Sequence, residues 1–306
     1  MYKKKHFFLF KDAAGDITTS GQIKVYSGFN KLVRNFTAHS GIIYKLLYIP
    51  NGMLASCSGD FKVKVWSTIN WSLLSIYAGH SAQVYGLEQI DATTMASASG
   101  DGTIQFWKTT TGSFIQTIRV PHHNSVQVLC IKLLNDGTLV SGQTVASIYI
   151  WDFSYYYQIG SIIGHTGWVT FFEVISDKYL ASASYDMTII IWDLIQQTSV
   201  NTLTGHTNQV FGLKLVSENI LASVSTDSQV MQWNWLDGTM LKNMSGHTNA
   251  IYRSLDMISC DVLVSGSVDQ TIKYWQISTG TLLQSFNISL QMRSFTVLAQ
   301  SINNIN

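Results

Sequence analysis

Apolar residues along the chain come in short runs of about four to eight, rich in β-branched and aromatic side chains. Gly, Asp, Asn and Ser break the runs apart. One stretch shows the pattern. Val84 to Ile90 leads to Thr94-Met95-Ala96-Ser97-Ala98-Ser99, a Gly100-Asp101-Gly102 turn and Thr103-Ile104-Gln105-Phe106-Trp107. A Thr111-Gly112 turn and Phe114 to Ile118 complete it. No stretch sustains a 3.6-residue period with caps, so helices are not expected. Two prolines in 306 residues fit a chain of paired strands, because proline cannot donate to a ladder. The pattern predicts an all-β fold with four antiparallel strands per unit.

The unit repeats. Tryptophans at 66, 107, 151, 192, 233 and 275 are separated by 41, 44, 41, 41 and 42 residues. Tyr26 stands 40 residues before Trp66, and Gln22 to Tyr26 has the same shape as Lys62 to Trp66. Histidines at 39, 80, 122/123, 165, 206 and 247 keep the same beat. Four strands repeated radially at such a period describe a β-propeller.

The Gly-His pairs at 79–80, 164–165, 205–206 and 246–247, the Ala-Ser-x-Ser stretches, and Trp-Asp at 151–152 and 192–193 resemble the WD-repeat (WD40) family, the repeats of G-protein β-subunits. The likeness covers essentially the whole chain, although Ser67, Lys108, Asn234 and Gln276 replace the Asp that follows Trp. It implies one WD-repeat β-propeller domain over residues 1–306, seven-bladed, with four antiparallel strands per blade. The first blade is expected to be closed by N- and C-terminal strands, since an open ring leaves two unpaired edges. Met292 to Gln300 is then its inner strand and Phe7 to Phe10 its second, with Phe7 to Phe10 as inner strand the alternative.

Five sets recur at fixed spacing: His39/Ser56/Asp60/Trp66, His80/Ser97/Asp101/Trp107, His165/Ser182/Asp186/Trp192, His206/Ser223/Asp227/Trp233 and His247/Ser265/Asp269/Trp275. The resemblance implies a buried tetrad in which Asp and Ser orient His and the indole N–H is satisfied. Each such group would cost roughly 1–3 kcal/mol if buried without a partner. A Ser/His/Asp grouping that occurs five times is not a catalytic triad, and no catalytic residue is expected. Two blades depart from the rule. One has Val145, preceded by Thr144, at the Asp place and begins with Pro121-His122-His123; the other has Ser20 and Tyr26 at the Asp and Trp places. Drift in blades secured by their neighbours is the simpler explanation, and a remodelled binding rim the other.

Composition narrows the function. Charged residues are 12% of the chain, about half the ~25% of ordinary soluble domains. The net charge of +1 argues against a phosphate-seeking basic face and hence against nucleic acid as the preferred partner. No apolar run approaches the ~18 residues of a membrane span, so no membrane insertion is expected. The basic start followed by Phe7 to Phe10 is too short for a secretory signal. Cys57, Cys130 and Cys260 share no metal-like spacing and read as reduced thiols of a cytoplasmic protein, with a nuclear location left open. No metal or cofactor is expected. Glu88 and Glu173 lie eight residues after their histidines, where Lys214 is the counterpart in another unit. They make a poor metal site and read as a solvated channel wall.

In the family that the chain resembles, positions three and five after the histidine and the residue before the tetrad Asp point to the top face around the channel. That implies a partner site of Tyr44, Gln83, Tyr85, Trp168, Tyr185, Gln209, Phe211 and Tyr252, with Lys45 and Arg253 nearby. Packing of these rings between blades is the competing reading. Aromatic side chains give large contact area at low conformational cost. The function expected is a non-enzymatic scaffold or adaptor that binds a protein or peptide, for example one presenting Arg or Lys to the rings, with modest salt dependence. Alone, the chain is expected to be monomeric. One alternative is a subunit of a larger complex docking through blade sides, such as Tyr155-Tyr156-Tyr157. Another is a propeller enzyme that uses Glu88 and Glu173 in the channel.

Overall fold

The computed structural model describes residues 7–12, 21–27, 31–121, 125–288 and 291–298. All regular structure among them is β. Three strands open the chain: β1 (Phe7–Asp12), β2 (Gln22–Ser27) and β3 (Lys31–Thr37). Then come β4 (Ile43–Ile49), β5 (Met53–Ser58), β6 (Val63–Ser67) and β7 (Leu73–Tyr77), which form one antiparallel sheet in that order. The next sheet is β8 (Val84–Gln89), β9 (Thr94–Ser99), β10 (Thr103–Lys108) and β11 (Phe114–Arg119). A third comprises β12 (Val128–Leu133), β13 (Leu139–Gln143), β14 (Ser147–Asp152) and β15 (Tyr157–Ile163). A fourth comprises β16 (Val169–Val174), β17 (Tyr179–Ser184), β18 (Ile189–Asp193) and β19 (Thr198–Leu203). The fifth is β20 (Val210–Ser217), β21 (Ile220–Ser225), β22 (Val230–Asn234) and β23 (Met240–Met244). The sixth is β24 (Leu255–Ser259), β25 (Val262–Gly266), β26 (Thr271–Gln276) and β27 (Leu282–Asn287), and β28 (Met292–Leu298) follows.

Six blades of this propeller are thus built from continuous chain. The remaining four-stranded sheet joins the two ends in the order β28-β1-β2-β3. Phe7 lies opposite Leu298 on one side and Ser27 on the other, so Phe7 to Phe10 supplies the second strand and not the inner one. Ala299 and Gln300, the end of the expected inner strand, lie outside the described residues. The first strands of all the sheets touch in a closed circuit, β28–β4–β8–β12–β16–β20–β24 and back to β28. They wall the central channel.

Adjacent sheets share the core. Trp192, for example, packs with Val169, Phe172 and Leu180 of its own sheet and with Cys130, Val140, Ile148 and Ile162 of the sheet before. Trp233 joins its sheet to Ala181, Ala183, Ile189 and Leu203 in the same way. Trp275 does so with Ala222, Val224, Val230 and Met244. The repeating tryptophan is therefore the contact between blades, which explains its regular return. In the closing sheet Tyr26 replaces it within an apolar cluster with Tyr274, Met292 and Phe295. No helix of the described residues is long and apolar enough to cross a membrane.

Candidate functional site

A cavity of about 280 Å³ opens at the mouth of the channel. Its lining follows from one irregularity that the first strands share. Val84 faces Ser99 and Gly86 faces Ala98, so Tyr85 between them has no opposite number. Tyr44, Leu129, Thr170 and Phe211 are the extra residues at the same bulge in β4, β12, β16 and β20. A bulge re-aims the extra side chain, and here all five line the cavity. Tyr252 and Arg293 complete the ring from the remaining two sheets. Gln127, Trp168, Tyr185 and Gln209 extend the wall outward.

Seven of the eight residues expected at a partner site come together in this cup. The exception is Gln83, which is half-buried, lies outside the lining, and accepts the Gly100 amide at its backbone carbonyl, 2.8 Å. The rings touch one another in two arcs. Tyr44 meets Tyr85 edge-on at 4.7 Å. Trp168 meets Tyr185 at 4.6 Å, Tyr185 meets Phe211 at 5.4 Å, and Phe211 meets Tyr252 at 4.9 Å. Packing between blades and exposure to the cup are thus both present. Trp168 is the most open, at 42% exposure, and the others are half-buried. Leu129 and Gln127 fill the gap between the arcs.

Two arginines shape the floor and wall. Arg253 reaches across the channel from the start of the sixth sheet. Its Nη1 donates to the Tyr85 carbonyl and its Nη2 to the Leu129 and Thr170 carbonyls, each at 2.9 Å. The guanidinium closes the cup from a smaller cavity beneath, which Lys45, Gly86, Cys130 and Phe171 line. Lys45 is thus below the cup, not at its rim. Arg293 lies over the Tyr252 ring, 4.7 Å from its centre. It was not expected at the site, because no histidine marks the position from which β28 could be counted.

Deeper in the channel the expected solvated wall is instead a belt of alternating charge. Glu88, Lys132, Glu173, Lys214 and Asp256 occupy matching positions on five successive inner strands, each opposite the residue before its tetrad Ser or that Ser's counterpart. Lys132 bridges Glu88 at 2.8 Å, Lys214 bridges Asp256 at 3.0 Å, and Lys45 approaches Glu88 from above at 3.8 Å. Burial would lower the Lys132 and Lys214 ammonium groups, but Glu88 and Asp256 outweigh it and hold them above the ordinary lysine range. Burial pushes the Glu173 carboxyl up and the Lys45 ammonium down. Among the described residues no group of His, Cys, Asp and Glu could hold a metal ion.

The five repeating sets form the hydrogen-bond chain that their spacing implies. His Nδ1 lies 2.7–2.9 Å from the Asp carboxylate in the pairs His39–Asp60, His80–Asp101, His165–Asp186, His206–Asp227 and His247–Asp269. On the other side of each ring, Nε2 lies 2.7–2.8 Å from the hydroxyl of Ser56, Ser97, Ser182, Ser223 or Ser265. The indole N–H of Trp66, Trp107, Trp192, Trp233 or Trp275 donates to the same Ser oxygen at 2.7–3.3 Å. With the proton on Nδ1, the histidine donates to Asp and accepts from Ser, and every polar atom is used. All five serines are fully buried, so no substrate reaches them.

None of the twenty tetrad residues lines the cup. Their place is between the sheets, whereas the cup is lined from the inner strands and the loops beside them. In the third sheet Gln143 stands in for the histidine. Its amide donates to Ser141, which also receives the Trp151 indole at 2.7 Å. Val145, at the Asp place, is 45% exposed. His122, His123 and Ser20 lie outside the described residues.

Burial pushes the tetrad carboxyls up, but hydrogen bonds from the histidines and from backbone amides prevail. Asp60 and Asp101 end at about 2, and Asp186, Asp227 and Asp269 are lowered in the same sense. The unfolded chain, at the ordinary 3.8, therefore takes up these protons first as pH falls. Stability from these five groups is complete above about pH 5; Asp60 and Asp101 lose their share between about pH 4 and 2, and the other three begin to lose theirs as pH falls below about 4. Glu173 acts in the opposite sense because its carboxyl is raised. Melting temperatures measured from pH 7 to pH 2 should fall steeply in that last interval, and a flat profile would remove the charge-assisted bonds as a source of stability.

A family profile described as "WD domain, G-beta repeat" matches residues 30–67, 71–108, 156–193, 197–234 and 238–276. These are the five segments that carry a complete tetrad, and each starts in or just before the outer strand of one sheet and ends in the third strand of the next. Among curated proteins none matches the chain. A solved structure of the computationally designed Ika8 protein is similar, with a TM-score of 0.73 and 25% sequence identity, covering 95% of this chain and 90% of that one. With the repeats matched over more than half its length, the chain belongs to the WD40 repeat family.

Proposed function

We propose that the chain is a non-enzymatic interaction scaffold or adaptor that captures a peptide or protein segment in the cup at the channel mouth. WD40 domains generally mediate protein–protein interactions. The observation that carries the reading is the cup itself, in which one bulged residue from each of five inner strands turns inward beside an open Trp168. Rings of this kind supply apolar area together with a polar handle. The belt below the cup spends Glu88 as a counterion between two lysines, which weighs against a channel enzyme built on it. The thiols of Cys57 and Cys130 are buried, which fits the cytoplasm as the place of action.

The test is affinity capture from a lysate of the source organism with wild type and a Tyr85→Ala/Trp168→Ala variant. Proteins retained by wild type should be absent from the variant, whose melting temperature should shift by only a few degrees. Identical captured sets on both folded proteins would refute the site. Docking through a blade side keeps one observation in its favour. Tyr155 (75% exposed), Tyr157 and Ile163 (76% exposed) project from the third sheet, although Tyr156 turns inward against Phe106 at 5.2 Å. That reading requires loss of capture on Tyr155→Ala/Tyr157→Ala.

A further inference from the structure

The cup collects charge of one sign. The chain has four arginines, and two of them, Arg253 and Arg293, line this single cavity. Among the described residues no acidic side chain does. Elsewhere in the channel every lysine meets a carboxylate: Lys45 and Lys132 meet Glu88, and Lys214 meets Asp256. The two guanidinium groups have no such partner among the described residues. Arg253 is hydrogen-bonded to three carbonyls, which satisfy donors but supply no opposite charge. Arg293 rests on the Tyr252 face, and its Nε is buried without a hydrogen-bond partner among the described residues.

We infer that the cup takes the carboxylate side chain of an acidic peptide segment, seated against Arg293 above the Arg253 floor and flanked by the tyrosine and tryptophan rings. This rests on the cup being the capture site, and it reverses the expectation of a partner that presents Arg or Lys. The Tyr252 face where such a cation would stack already carries Arg293, and a second cation would meet two positive groups with no acid to offset them. A carboxylate fits for two reasons. The guanidinium edge offers paired N–H donors that match two carboxylate oxygens. A monoanion also costs less to bring into a cup walled largely by rings than a doubly charged phosphate does.

The experiment uses four immobilised mixtures of random nonapeptides that differ at a fixed central position: Glu, Gln, Lys or phosphothreonine. Each is probed with the full wild-type chain, Arg293→Gln and Tyr85→Ala/Trp168→Ala, with melting temperature checked for each protein. The Glu mixture should retain about tenfold more wild type than the Gln or Lys mixtures, and Arg293→Gln should reduce it to the Gln level. Equal retention on Glu and Gln, preference for Lys, preference confined to phosphothreonine, or a Glu preference unchanged in Arg293→Gln would each overturn the inference. Retention without Glu preference that is still lost in Tyr85→Ala/Trp168→Ala would leave the capture site standing. Retention by no mixture, or retention unchanged in the double variant, would count against both.

Discussion

Replacing Trp192 by alanine should lower the free energy of unfolding by about 3–5 kcal/mol, the usual range for a buried aromatic truncated to a methyl. Trp192 is 1% exposed, sits between two blades, and donates its indole N–H to Ser182 at 2.7 Å. Its loss opens a cavity between the sheets and removes one donor from a four-member hydrogen-bond chain. The neighbouring blade is the irregular one, where Gln143 and Ser141 have no carboxylate partner among the described residues, so it depends more than the others on this contact. Urea denaturation reads the change directly. Trp168→Ala is the control: that indole lies in the cup at 42% exposure, and its removal should cost under about 1 kcal/mol, mostly from the lost ring contact with Tyr185. Equal costs for the two tryptophans would contradict the division of structural from partner-facing rings.

Glu88→Gln should destabilise the chain by about 2–3 kcal/mol, somewhat less than the 3–5 kcal/mol for breaking a fully buried ion pair. Glu88 is buried, while Lys132 keeps about a third of its side-chain surface. The substitution leaves Lys45 and Lys132 facing one neutral group, and Lys45 is already pushed down by burial. The double variant Glu88→Gln/Lys132→Met should recover about 1 kcal/mol, because one of the two uncompensated charges is gone. Unfolding midpoints in urea for wild type and the two variants read both changes. If Glu88→Gln is as stable as wild type, the belt is a solvated wall after all.

The tetrads were legible because their members are anchored to one another at fixed spacing, and His165, Ser182, Asp186 and Trp192 all fall within one short span. The set of His247, Ser265, Asp269 and Trp275 carries one extra residue before Ser265 and still closes, because that residue falls between His247 and Asp256, ahead of β24, whose pairing from Asp256 to Ser265 keeps the usual spacing. The aromatic part of the cup was legible for the same reason: Tyr44, Tyr85, Phe211 and Tyr252 can each be counted from a histidine. Leu129 and Arg293 occupy the same place in the ring, but the third sheet lacks a regular histidine and Asp, and β28 has neither. Counting forward at the repeat period from Tyr252 would have reached Arg293. The charge belt was hidden differently. Glu88 finds its partner 44 residues away in Lys132, and Asp256 stands nine residues after its histidine where Glu173 and Lys214 stand eight. Arg253 was visible as a neighbour of the cup, but its reach across the channel depends on carbonyls up to 168 residues distant. No local pattern carries such a contact.

The most direct test of the capture site places a photo-crosslinking side chain at position 168 in one protein and at position 155 in another. Both are irradiated in a lysate of the source organism. Covalent adducts to a shared partner from position 168, and few or none from position 155, are the predicted result. Adducts from position 155 alone would show that the partner lies against the side of the third sheet, and the cup would no longer be the binding surface.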